Sequence, residues 1–140
     1  MEFRVVRETR VVPVMPWRTL FIHVSRGERA PATTSIALVL TTPGRIATWN
    51  QHYHHKHGPT DVLAFPSSTG GDIVICPAIL KQRHPGMPLP ALLAHRFVHA
   101  LLHLNGYRHA TDAAARRMEA RTRHYLALVH RPWLRSLPEA

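Results

Sequence analysis

A chain of 140 residues with 18 Lys and Arg against 8 Asp and Glu, a formal charge of +10 with its 12 histidines neutral, is sized for one domain. At about this length roughly 68–70% of the unfolded surface can be buried without a disulfide or structural metal, and the single cysteine, Cys76, excludes an internal disulfide framework and a Cys-based zinc ribbon. No apolar run approaches the ~18 residues of a membrane span, and Met1 to Arg7 alternates where a signal peptide needs an unbroken apolar stretch, so a cytoplasmic protein is expected.

In chain order, the alternation of Phe3, Val5 and Arg7 with Arg4 and Val6 fits a short strand. Met15-Pro16 opens a helix whose Trp17, Leu20, Phe21 and Val24 share a face, with Gly27 as the stop. Ser35 to Thr41 is a strand apolar enough to be buried. Thr42-Pro43 repeats the cap-plus-proline start, with Ile46, Trp49 and Tyr53 as an apolar stripe, and this helix ends in His52, His54, His55, Lys56 and His57 before Gly58-Pro59. Two short strands follow, Asp61 to Phe65 and Asp72 to Cys76, placed to pair as a hairpin-like unit across the turn-rich Pro66 to Gly71. Beyond Pro77 a brief helical segment leads into the breaker cluster His84 to Pro90. A helix from about Pro90 to Leu104 stops at Asn105-Gly106. Thr111 caps a last helix carrying Ala115, Met118, Thr122, Tyr125, Leu126 and Val129, and the tail is expected to pack through Trp133 and Leu134. Strands and helices alternate first and helices dominate later, which predicts one small mixed sheet layered with helices in a single domain over residues 1–140. Periodicity does not fix the strand order.

His99, His103 and His109 form H-x-x-x-H-x-x-G-x-x-H. Histidines four apart on a helix stand one turn above the other, about 6 Å along the axis. Gly106 tolerates positive φ, so the chain can leave the helix and return His109 to the same point, within a Zn–N distance of about 2.0–2.1 Å. Three neutral nitrogens with an open position suit a catalytic zinc ion; the bland alternative is a histidine-rich helix binding nothing. The spacing coincides with the metzincin signature, except that the glutamate that would take a proton from zinc-bound water is Ala100. That difference argues against peptide hydrolysis by the usual route. His95, one turn earlier, is either a partner behind the ligands or a plain surface histidine. Asp61 and Asp72 are either structural carboxylates at strand starts or partners orienting an imidazole. Sixteen of the 18 basic residues are Arg, scattered along the chain, which is either a polyanion-binding surface or a compositional habit.

At these residues the sequence resembles the YbeY endoribonucleases. Their motif H-G-x-L-H-L-x-G-Y-D-H is met by His99, Leu102, His103, Leu104, Gly106, Tyr107 and His109, and a second block, T-D-V-L-S-F-P then G-D-I-x-I, by Thr60 to Pro66 and Gly71 to Ile75. The resemblance covers about Thr34 to Val129. It implies an α+β fold with a mixed, mostly parallel four-stranded sheet, about five helices and a zincin-like metal helix. It also implies one divalent ion, usually Zn2+, on His99, His103 and His109. The activity implied is cleavage of single-stranded RNA, in ribosomal RNA maturation and quality control beside the small ribosomal subunit. Ala100 stands for the family glycine and Arg108 for the aspartate beside the third ligand. The family's phosphate-gripping arginine falls on His54, which makes His54 the candidate catalytic residue; Arg108, or a protonated member of the cluster His52 to His57, is the candidate source of the missing charge, the cluster's alternative being a solvated helix end. The rival readings are a catalytically impaired metal-binding protein that still associates with RNA or the ribosome, and a zinc peptidase drawing its base from elsewhere.

Overall fold

The computed structural model describes residues 1–55, 58 and 60–129. Trp133 and Leu134, whose packing the sequence predicts, and Lys56 and His57 of the histidine run lie outside the described residues. Four strands, β1 (Glu2–Arg7), β2 (Ser35–Leu40), β3 (Val62–Ser67) and β4 (Gly70–Ile75), form one sheet among the described residues, in the order β1-β2-β4-β3. β1, β2 and β4 run parallel, and β3 is an antiparallel edge. The helices are α1 (Trp17–Gly27), α2 (Pro43–His54), α3 (Pro77–Arg83), α4 (Leu89–Leu104) and α5 (Asp112–Ala127). This is the α+β, mixed-sheet architecture expected from the sequence.

The sheet separates two apolar layers. Ile36, Leu38, Leu40, Ile73 and Ile75 face α1, α4 and α5, whereas Leu63, Val74 and Cys76 pack on Ile46 of α2 and Ile79 of α3. β2 therefore reads as the unbroken run SIALVL, because a central parallel strand is covered on both faces. α4 is buried almost all round: Leu92, Leu93, Phe97, Val98, Leu101 and Leu102 are inaccessible or nearly so. Phe97 meets Phe3 at 5.6 Å and the Trp17 ring edge-on at 5.2 Å, fixing α4 against β1 and α1. The one strip of α4 left partly open carries His95, Arg96, His99 and His103, so the core that locks the helix also aims those four side chains.

α5 closes the layer behind α4 through Met118, Thr122, Tyr125 and Leu126. Thr111 caps it, accepting from Ala114 N at 3.0 Å, as the sequence predicts. Tyr125 and Arg121 both donate to the Glu28 carboxylate at the end of α1, the guanidinium at 2.6 Å. The Tyr125 ring lies against Gly27, where a Cβ would run into it.

Three local expectations are corrected. The segment Pro66 to Gly71 is not a six-residue loop: β3 runs to Ser67, β4 starts at Gly70, and only Ser68 and Thr69 turn. Pro66 is tolerated because β3 is an edge strand, and Gly70 and Gly71, at φ +137° and +142°, let the Ser35 and Phe65 carbonyls approach where a Cβ would collide. Tyr53 leaves the buried stripe begun by Ile46 and is 59% exposed, its ring meeting Phe65 of the edge strand edge-on at 5.2 Å. Asp72 lies inside β4 and is exposed, so it starts no strand.

Candidate metal centre

The three motif histidines meet. Their ligand nitrogens all lie within 4.8 Å of one another, and the His103 and His109 rings are perpendicular with centroids 4.3 Å apart. The turn that returns His109 is a Schellman motif: Tyr107 N donates to Leu102 O at 3.1 Å and Gly106 N to His103 O at 3.0 Å. Gly106 takes φ +103°, which only glycine adopts cheaply. Arg108 closes the turn, its NH1 donating to the carbonyls of His103 at 3.2 Å and Tyr107 at 2.9 Å.

The residues fit a divalent cation. The Tyr107 carbonyl can only accept, so His103 donates to it from Nδ1 at 3.2 Å and keeps an Nε2 lone pair for a metal. His99 Nε2 and His109 Nε2 face each other at 2.9 Å, near the roughly 3.3 Å that separates two nitrogens on a tetrahedral zinc. His99 Nδ1 is buried without a hydrogen-bond partner, 4.0 Å from the Glu119 carboxylate, the arrangement of an outer carboxylate behind a ligating imidazole. Burial, and then the imidazoles of His95, His103 and His109, push the His99 pKa down to about 3. Burial and the His109 ring likewise lower that of His103. Both are neutral donors at neutral pH, as ligation requires.

Behind this trio stands a second group that the sequence shows only in part. His95 donates from Nε2 to both Glu119 oxygens at 3.0 and 3.1 Å, stacks on His99 at 5.6 Å, and accepts at Nδ1 from Arg96 at 2.8 Å. A guanidinium only donates, so Arg96 fixes this tautomer. With Nε2 protonated, His95 supports the site rather than forming a second metal trio with His99 and Glu119. Burial holds His95 below the ordinary histidine range despite that carboxylate. Of the two readings the sequence leaves open for His95, a partner behind the ligands or a plain surface histidine, its contacts with Glu119 and His99 favour the first; Asp61 reaches the site one step further out, 3.7 Å from Arg96. Glu119 was not legible, because it arrives on α5 from 20 residues beyond His99 with no motif to mark it. Glu119→Gln is expected to keep the fold and weaken zinc binding about 10- to 100-fold, measured by competition with a chromogenic chelator; unchanged affinity would remove Glu119 from the site.

A groove of about 800 Å³ opens over the histidines between α4 and the edge strand β3. Val62, Ala64, Pro66, Ala100 and Leu104 form its apolar wall, and Arg96, Arg108 and His54 its polar lining. His54 ends α2, exposed, its ring stacked on Phe65 at 5.7 Å. It borders the groove without joining the histidine trio. Ala100 brings no proton-accepting group to the site, as the sequence indicates.

Fold and site together define a small α+β protein whose buried helix presents a three-histidine group able to hold a metal ion. Residues 10–130 match the family model described as Endoribonuclease YbeY, and the chain belongs to that family. It is 36% identical over 118 residues to the Endoribonuclease YbeY of Pseudomonas entomophila, covering 76% of this chain and 74% of that one. It is 40% identical over 85 residues to that of Methylococcus capsulatus, 54% and 57% of the two chains. A solution structure from Thermotoga maritima shares the fold with a TM-score of 0.70 at 24% identity, over 91% of this chain and 88% of that one. Among the described residues no helix is long and apolar enough to cross a membrane.

Proposed function

We propose that this chain is a zinc-dependent endoribonuclease that cleaves single-stranded RNA in the cytoplasm, in ribosomal RNA maturation and quality control at the small ribosomal subunit. The observation that carries the reading is the convergence of His99, His103 and His109 on one point of an open groove in a chain of this family. The ribosomal role rests on the resemblance alone. The net charge of +10 favours a polyanionic substrate held with strong salt dependence.

His99, His103 and His109 would hold the ion, which supplies Lewis acidity toward a phosphodiester oxygen. The chain's own residues do the rest. Tyr107 O keeps the proton of His103 on Nδ1, so that ring presents Nε2 inward, and the Glu119 carboxylate lies 4.0 Å behind Nδ1 of His99. The apolar wall thins the water around the scissile bond and strengthens each charge that faces it. Cations of the groove offset the negative charge that accumulates in the transition state, the main protein contribution in phosphoryl chemistry.

Protein purified without a histidine tag is expected to carry about one zinc per chain and to cut an unstructured RNA. Cleavage should cease on chelation and return with zinc. Cleavage of an unstructured peptide pool with RNA left intact would replace the nuclease by the peptidase. Stoichiometric zinc with neither activity would leave the impaired, RNA-associated reading.

A further inference from the structure

We propose that Arg96 is the phosphate-holding cation of the groove, gripping a substrate phosphodiester beside the three-histidine site. The inference rests on the RNA reading above and names a residue the family motifs do not contain. Among the described residues two guanidiniums line the groove, Arg96 and Arg108. Arg108 is exposed at the rim and spends NH1 on two carbonyls of its own turn. Arg96 sits on α4 three residues before His99, its side chain 22% exposed.

Its position is held from three elements: NH1 donates to His95 Nδ1 at 2.8 Å, NH2 to His84 Nε2 at the end of α3 at 3.2 Å, and Nε lies 3.7 Å from Asp61 ahead of β3. A guanidinium has five N–H groups in a rigid fork. The two ring contacts use one on each terminal nitrogen, leaving the second N–H of each for the oxygens of a phosphate, which such a fork binds in bidentate fashion.

The charge balance separates this role from a purely structural one. A half-buried guanidinium kept only for the fold is ordinarily matched by its own carboxylate. Here the two ring nitrogens that accept from Arg96 carry no proton, and Asp61 is shared with Arg83 at 3.8 Å. Glu119, the other carboxylate of this wall, is engaged by His95 and by Arg123 at 3.4 Å. Among the described residues Arg96 therefore meets one carboxylate, 3.7 Å away and shared, while its guanidinium lines the groove.

The test is binding of a short single-stranded RNA with phosphorothioate linkages to the zinc-loaded protein across a salt series. Arg96→Gln is expected to weaken binding about tenfold or more and to lower the slope of log affinity against log salt by about 0.7, the increment for one phosphate contact on a single strand. Arg96→Lys, which keeps a cation among the same partners, should restore the slope but not the full affinity. Zinc content is read alongside, because Arg96 also donates to His95 behind the ligands; Arg96→Lys, which can still donate to His95 Nδ1, should keep it. Wild-type binding with an unaltered slope in Arg96→Gln overturns the proposal, and does so as a positioning role through His95 and Glu119 if zinc is lost at the same time. A slope change in Arg108→Gln but not in Arg96→Gln transfers the grip to Arg108. If wild-type protein holds zinc but no RNA, the nuclease reading itself has failed, an outcome visible before any Arg96 variant is measured.

Discussion

His103→Ala is expected to remove stoichiometric zinc and to lower RNA cleavage by about 10³-fold or more, the equivalent of the several kcal/mol a Lewis-acid centre contributes. The substitution removes one of three nitrogens and also the Nδ1 bond to Tyr107 O that steadies the turn carrying His109, so the two remaining imidazoles lose both a partner and a fixed relation to each other. Measured against metal-free wild type, stability should change little, because His103 is only partly buried, lines an open groove and leaves no closed cavity behind. The two measurements separate cleanly: metal content by elemental analysis, and initial cleavage rates at saturating RNA. A variant that folds like the wild type, holds no zinc and no longer cuts RNA supports the assignment. Equal cleavage by both proteins would locate the activity in a contaminating nuclease.

That site was legible in the sequence because its geometry is local. The spacing of His99 and His103 is a helical repeat, Gly106 is the residue a Schellman turn demands, and His109 follows within the same bend. The groups behind it are not local. Arg96 and Glu119 acquire meaning only when α5 and the residues around Asp61 and His84 are packed against α4, and nothing in their own neighbourhoods marks them. The same contrast runs through the fold. The stripes of α1 and α5 were readable because each buries one continuous face, whereas Tyr53 obeys the α2 period yet is exposed, touching the sheet through the edge-strand Phe65. Pro66 and Gly70-Gly71 read as a loop because breakers ordinarily are one. An edge strand makes the proline harmless, and the close carbonyls of Ser35 and Phe65 make the glycines necessary. Strand order, with β4 inserted between β2 and β3, follows from which faces α2 and α4 cover and has no counterpart in periodicity.

The same burial that keeps the ligands neutral makes the metal-free protein sensitive to acid. His99 titrates near 3 in the folded chain against about 6.5 when unfolded. Between those values the unfolded chain binds a proton that the native chain does not, so stability rises with pH through this window and falls as pH drops below about 6.5. At about pH 5 the loss from His99 alone is on the order of 2 kcal/mol. His95 and His103 are lowered in the same direction and add to it, which for a domain of this size is a large part of the total. Denaturant midpoints of chelator-treated protein should therefore decline steadily from about pH 7 to about pH 5, and His99→Gln should flatten the curve by removing its steepest contributor. With zinc bound the protein should be more stable at neutral pH and steeper in its decline, because protons then compete with the ion for the same nitrogens. A flat profile in the metal-free protein would mean that these rings are solvated and protonate freely, contrary to the packing of α4 against β3 and α5 that holds them in place.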